Sequence, residues 1–261
     1  MRKNNRMSVF ASLALSLVLL CGFFTLAAGA VGGVLAGDGS AETPYEIADA
    51  ADLAAFRDLV NATPSSTANA VLVADIDLEN QNWKRIFPDS GYITEAYAGT
   101  FDGAFHTIKG LNVNNASAAN QGLFGGIGLA TVDGKTVTAT VKNLNVEGSV
   151  TASNNNVGGI VGYVAGGNYA SSKEITGCVN TGTVSSNSYN AGGIVGYING
   201  QVTVDSCYNR GNCTSGSYRA GGIAAYLYSS YATVKNCYTT GVTKVAYGSN
   251  ACAVVGNKSS G

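Results

Sequence analysis

Several residue types that carry chemistry are nearly absent from this chain. Its 261 residues include one histidine, one tryptophan and two methionines, with three prolines and only 12% charged residues. One imidazole cannot furnish the three protein ligands of a catalytic zinc, and no Cys-x-x-Cys pair stands in for it. No run of Lys or Arg marks a nucleic-acid surface, so nucleic acid is not an expected partner. Beyond residue 62 no apolar stripe recurs at helical spacing, which excludes a sheet built with crossover helices. No cofactor or metal is expected.

What remains suits short strands and tight turns. There are 35 glycines, and Asn, Ser, Thr and Val are plentiful; Gly and Asn tolerate the positive φ of bends. Fourteen tyrosines argue against disorder. The first thirty residues differ. Arg2, Lys3 and Arg6 precede an apolar run from Val9 to Ala28, and Ala28-Gly29-Ala30 offers a small-x-small cleavage site. Residues 1–30 therefore read as a signal peptide, the only membrane contact being during export. Cys21 follows Leu20, where a lipoprotein signal wants a small residue. Charge is uneven in the remainder: residues 31–148 carry net −8, while residues 149–261 hold only Glu174 and Asp205 against six basic groups, net +4.

Internal repetition sets the fold class. Ile108-Lys109-Gly110-Leu111, Val141-Lys142-Asn143-Leu144, Ile175-Thr176-Gly177-Cys178, Val204-Asp205-Ser206-Cys207 and Val234-Lys235-Asn236-Cys237 align, at spacings of 33, 34, 29 and 30 residues. Between them Gly158-Gly159-Ile160-Val161-Gly162-Tyr163 matches Gly192-Gly193-Ile194-Val195-Gly196-Tyr197, more loosely Gly221-Gly222-Ile223-Ala224-Ala225-Tyr226, and degenerates into Ala251-Cys252-Ala253-Val254-Val255-Gly256. Each unit thus supplies about three short strands and no helix. The expected fold is all-β: a right-handed, single-stranded parallel β-helix of five or six coils, each strand stacking on its equivalent about 4.8 Å away.

Gly122-Leu123-Phe124-Gly125 and the Gly-Gly-Ile-Val-Gly-Tyr units resemble the GLUG motif of bacterial surface proteins. Thr43-Pro44-Tyr45-Glu46-Ile47, Ala74-Asp75-Ile76-Asp77-Leu78 and Gly99-Thr100-Phe101-Asp102-Gly103 resemble the module that leads such arrays; the chain departs from it at Ala104-Phe105. The resemblance implies a β-helix outside the cell and no settled activity. It suggests an N-terminal cap region with the first coils over 31–107 and GLUG-type repeats over 108–261. A single helix is expected within residues 31–107, with Asp49 as its cap, Asp52 near its N-terminus and Leu53, Phe56 and Val60 on one face, covering the open end of the coil. The chain stops at Gly261 without a second cap or a wall-sorting signal, as a fragment of a longer array would.

The candidate functional residues fall into four groups. Cys178, Cys207 and Cys237 share a column with Leu111 and Leu144, and Cys213 aligns with Val150 and Val184; with Cys252 they read as apolar fillers rather than disulfides. His106 reads as a turn residue, with Asp102 its nearest potential acid–base partner. Asp75, Asp77 and Asp102 would be the carboxylates of a polysaccharide-cleaving enzyme, which needs two of them about 5–10 Å apart. Tyrosines are the richest group: eleven of fourteen follow residue 148. Tyr163, Tyr197 and Tyr226 align, as do Tyr189 and Tyr218; Tyr208 and Tyr238 follow the inward cysteine column and should face out. Such ladders suit a glycan or a surface protein as partner; equally, they suit mere strand-to-strand stacking. The expected function is a non-enzymatic exported module for adhesion, binding or spacing, with the polysaccharide-cleaving enzyme and a ligand-free scaffold as rivals.

Overall fold

The computed structural model describes residues 35–87, 95–115, 117–167, 171–248 and 250–259; the expected signal peptide, residues 1–30, lies outside them. The chain is a parallel β-solenoid of about six turns. Four sheets run along it. The first stacks Tyr45–Ile47, Ala70–Leu72, Thr100–Asp102, Thr140–Lys142, Lys173–Thr176, Val202–Asp205 and Ala232–Lys235, all parallel. The second begins with Ile76–Asp77, Thr107–Asn115 and Asn145–Ala152, then splits in each later coil into a two-residue and a longer strand, as in Val179–Asn180 and Thr183–Ser186. A short third sheet holds Val157–Gly158, Asn190–Gly192, Arg219–Gly221 and Asn250–Cys252. The fourth holds Phe124–Ile127, Val161–Val164, Val195–Ile198, Ala224–Leu227 and Val255–Lys258.

Alternation drives this arrangement. Val202-Thr203-Val204-Asp205 places two valines inside and two polar residues outside, and repetition turns each inward position into a column. Phe101, Val141, Ile175, Val204 and Val234 stack in register on the first sheet. Ile160, Ile194 and Ile223, from the Gly-Gly-Ile segments, are fully buried at the corner before the fourth sheet. Each such side chain contributes roughly 1.5–3 kcal/mol, realised only when the next coil covers it.

The register corrects the sequence alignment in two places. Ile108 stacks on Ile76 and Val146 in the second sheet, and the residue beneath Val141 is Phe101. The displaced phase has a visible cause: an antiparallel hairpin, Leu129–Val132 with Lys135–Thr138, lengthens that coil. In the last coil Cys252, not Ala251, lies beside Gly221, and Asn257 takes the tyrosine position beside Tyr226.

The helix spans Ala50–Ala62, and Asp49 caps it, its carboxylate accepting from Ala51 and Asp52 N–H at 2.8 and 2.9 Å. Asp49 thus satisfies two of the donors a helix start leaves open, and Asp52 reaches back to accept from Ala48 N–H ahead of the cap. Leu53, Phe56 and Val60 are completely buried. Phe56 meets Tyr45, Tyr97 and Phe101 edge-on or tilted, at centroid distances of 6.5, 6.0 and 5.8 Å. The helix therefore closes the N-terminal end of the core.

Two polar columns run alongside the apolar one, Asn180, Asn190 and Asn209 buried in them and Asn120, Asn156 and Thr239 half-buried. Asn180 donates to Asn209 Oδ1 at 2.8 Å, Asn209 donates to Thr239 Oγ1 at 3.4 Å, and each asparagine also exchanges hydrogen bonds with the backbone of Gly182 or Gly211. Asn190 donates to Asn156 at 2.7 Å and Asn156 to Asn120 at 2.8 Å. Carboxamides suit such ladders because each donates to the coil on one side and accepts from the other.

Candidate binding face

The enzymatic alternative rests on three carboxylates. Asp75 and Asp77 flank buried Ile76 and both face outward. Asp75 accepts from Thr107 N–H at 2.9 Å and pairs with His106 Nδ1 at 3.2 Å, so the partner of His106 is Asp75 rather than Asp102. Asp77 accepts from Glu79 N–H in a turn. Asp102 accepts from Ala104 N–H, Asn143 Nδ2 and Lys142, whose Nζ stands 3.1 Å away. The three do not converge. Asp102 lines a cleft of about 240 Å³ with Thr100 and Lys142, whereas Asp77 lines another of about 320 Å³ beside Trp83 and Arg57. The Thr107 N–H and His106 hold the Asp75 carboxyl below its ordinary value. Burial acts to raise Asp102, but the Ala104 N–H, Lys142 and Asn143 outweigh it and hold that carboxyl low as well. A general acid needs the opposite shift.

The cysteine column forms as aligned. Tyr208 N–H bonds to the carbonyl of Cys178 and Tyr238 N–H to that of Cys207, which sets Cys178, Cys207 and Cys237 one above another. Cys178 and Cys207 are buried, Cys237 is half-buried, and Cys213 is buried in register with Val184. Hydrogen bonding to its neighbouring thiol in the column raises the Cys207 thiol, and the Cys237 thiol likewise; burial pushes Cys213 up to about 12. Cys252 is exposed.

The tyrosines divide into two faces. On the second sheet Tyr208 and Tyr238 stack at 4.0 Å with their planes 18° apart, and the Tyr208 hydroxyl meets Thr240 Oγ1 at 2.9 Å. This pair spends its facing ring surfaces on itself.

The other face wraps the corner between the third and fourth sheets. Tyr163, Tyr197 and Tyr226 stand in register, Tyr163 stacked on Tyr197 at 5.4 Å with nearly parallel planes, Tyr197 against Tyr226 edge-on at 5.3 Å. Tyr228 stacks on Tyr197 at 6.2 Å. From the third sheet Arg219 lays its guanidinium over Tyr226 at 3.7 Å and reaches the Tyr218 ring at 5.9 Å, and Tyr218 contacts Tyr189 at 4.9 Å. One continuous network therefore runs Tyr189, Tyr218, Arg219, Tyr226, Tyr197, Tyr228. Tyr189, Tyr218 and Tyr228 are exposed by 41–54%. Beside Tyr228 lies a hollow of about 140 Å³ lined by Asn199, Tyr228, Ser229, Ser230 and Tyr231.

Tyr163 is not part of the accessible surface. It is only 5% exposed, packed in a cluster with Phe87, Ala96 and Ala165, because Gly126 beside it in the fourth sheet leaves room for the Phe87 ring. Burial raises its phenol. Tyr197 is pushed up to about 12, first by burial and then by the neighbouring phenols of Tyr163, Tyr226 and Tyr228, with Arg219 opposing. These rings stay neutral at physiological pH and act as hydrogen-bonding, stackable surfaces. Sequence alignment finds the Tyr163–Tyr197–Tyr226 column; Tyr228 joins it from just beyond the end of the strand that carries Tyr226, and Arg219 only through the bend between sheets.

Comparison with known proteins gives two likenesses. Halomucin of Haloquadratum walsbyi is 33% identical over 139 residues, 51% of this chain and 1% of halomucin, so the chain spans a very small part of that protein. The crystal structure of a candidate immunoglobulin A1 protease from Bacteroides ovatus superimposes with a TM-score of 0.56 at 22% identity, covering 80% of this chain and 79% of that one. At that identity the likeness carries the solenoid fold alone. No family model matches the chain.

Proposed function

We propose that this chain is an exported or cell-surface GLUG-type repeat module that binds glycan, without catalysis, through the Tyr189–Tyr228 face. The carrying observation is the unbroken ring network across two sheets, half-exposed and centred on Tyr197 and Tyr226. Sugars present flat C–H faces that stack on tyrosine rings while hydroxyls reach phenols, amides and serines, and Asn199, Ser229 and Ser230 stand beside Tyr228. A solenoid fold and a likeness to halomucin fit a secreted or surface repeat protein. So does the apolar, positively flanked start of the chain.

The test is retention on a panel of immobilised neutral, amino, uronic and sulfated polysaccharides, with Tyr197→Ala and Tyr228→Ala beside the parent and Tyr208→Ala and Tyr238→Ala as a comparison. Retention lost in the first pair and kept in the second supports the reading. Retention by no polysaccharide, or loss confined to the Tyr208 and Tyr238 variants, rejects it.

A further inference from the structure

Arg219 is the one cation in this aromatic face, and its surroundings are unbalanced. Its Nη1 donates to Asn190 Oδ1 at 3.3 Å, its guanidinium carbon lies over the Tyr226 ring at 3.7 Å, and its buried Nε–H meets no acceptor among the described residues. No described carboxylate stands within ion-pairing distance of it. The two acidic residues of positions 149–261 both belong to the first sheet, and one of them, Asp205, is already paired with Lys235 at 3.3 Å. The face is thus an aromatic platform holding a positively charged planar fork with no counter-charge among the described residues.

Resting on the glycan-binding reading above, we infer that the ligand is a carboxylated polysaccharide, one built with uronic or other sugar-acid units. The sugar ring packs on Tyr228, the most exposed ring of the network, while its carboxylate meets the guanidinium of Arg219. A planar guanidinium matches a planar carboxylate, and its stack on Tyr226 fixes its orientation before binding. A single fork suits one carboxylate; densely sulfated chains are served by clusters of Lys and Arg, and the network contains one arginine and no lysine. Net charge of +4 over residues 149–261 favours approach of a polyanion.

The experiment is calorimetric titration of the purified chain with a uronate oligosaccharide, with the same oligosaccharide after reduction of its carboxyls to alcohols, and with a sulfated neutral one. The expected result is at least about tenfold tighter binding of the uronate than of its reduced form, weakened by salt. Arg219→Gln abolishes that preference while Arg219→Lys retains some of it. Equal affinity for uronate and reduced forms, or tighter binding of the sulfated one, overturns the carboxylate. Binding of neutral sugar that depends on Tyr228 and ignores Arg219 overturns it while leaving the glycan face standing; binding of nothing removes both. The comparison between ligands needs no variant, so a destabilised Arg219 substitution leaves the test intact.

Discussion

The side chain of Asn209 and the Gly222 carbonyl of the next coil together fill the space that any side chain on Gly193 would need: a Cβ there would clash with that oxygen first and stand about 2.5 Å from Asn209 Nδ2. The same relation joins Gly159 to Asn180 and Gly222 to Thr239. The second glycine of each Gly-Gly-Ile segment is thus set both by the backbone carbonyl of the next coil and by the polar column, which joins two distant stretches of the repeat. Gly193→Ala should cost roughly 1–3 kcal/mol through overpacking. Asn209→Ala should cost a similar amount by removing an acceptor from Asn180 and both side-chain bonds of the Gly211 backbone. Their sum should exceed the cost of the double variant, because removing the carboxamide relieves the side-chain part of the clash and leaves only the Gly222 carbonyl. Urea unfolding of the three variants measures this; strict additivity refutes the coupling.

The turn at Ala104-Phe105 should be improvable. Both residues hold positive φ, 46° and 66°, and His106 N–H closes the turn on the Gly103 carbonyl at 2.7 Å. Left-handed backbone costs a residue with a Cβ about 1–2 kcal/mol, and the Phe105 ring, 73% exposed, recovers little of it. Replacing the pair by Asn-Gly, the preferred chemistry of such a turn, should raise the thermal midpoint. An unchanged or lower midpoint would show that the Phe105 ring contributes more than its exposure suggests.

Lys173 is fully buried in the first sheet and its amine has no hydrogen-bond partner among the described residues. Burial lowers its pKa from the ordinary 10.5. Between the lowered value and 10.5 the unfolded chain holds more protons than the folded one, so this group's contribution to stability rises with pH across that window. Below it the penalty of a buried charge is constant. Lys173→Met should therefore stabilise the protein by about 1–3 kcal/mol at neutral pH, and its advantage should shrink toward pH 10.5. A destabilised variant would mean the amine has a partner in the folded protein.

Thiol reactivity should grade with burial. Native protein treated with iodoacetamide at neutral pH should alkylate at exposed Cys252 first, while Cys178, Cys207 and Cys213 resist until the coil opens. Half-buried Cys237 should lag as well, its thiol raised by Cys207 and by burial. Peptide mass mapping reads the order, and early modification of Cys207 or Cys213 would contradict the packing of the column.

The fold was legible because inward apolar positions repeat: Val141, Ile175, Val204 and Val234 do stack, and so do Leu144 and the three cysteines. Ile108-Lys109-Gly110-Leu111 misled because it carries the same residue types one side of the coil away. Asp133-Gly134, both at positive φ, signalled the hairpin that shifts the phase, and reading it would have restored Phe101 to its column. Asn180 and Asn209 were hidden by their own chemistry, since an asparagine two residues before a glycine reads as a turn. The face around Arg219 depends on how sharply consecutive sheets bend, and spacing along the chain carries no such angle. Burial of Tyr163 depends on Phe87, 76 residues earlier, a contact no local pattern announces.

The central claim is that the corner face, and not the Tyr208–Tyr238 pair, meets the ligand. Carbon-13 labelling of the tyrosine rings allows this to be read directly, by following ring resonances while a uronate polysaccharide is titrated in. Shifts are expected to concentrate at Tyr197, Tyr218, Tyr226 and Tyr228, with Tyr208, Tyr238 and buried Tyr163 unmoved. Shifts centred on Tyr208 and Tyr238, or none at any ring, would contradict it.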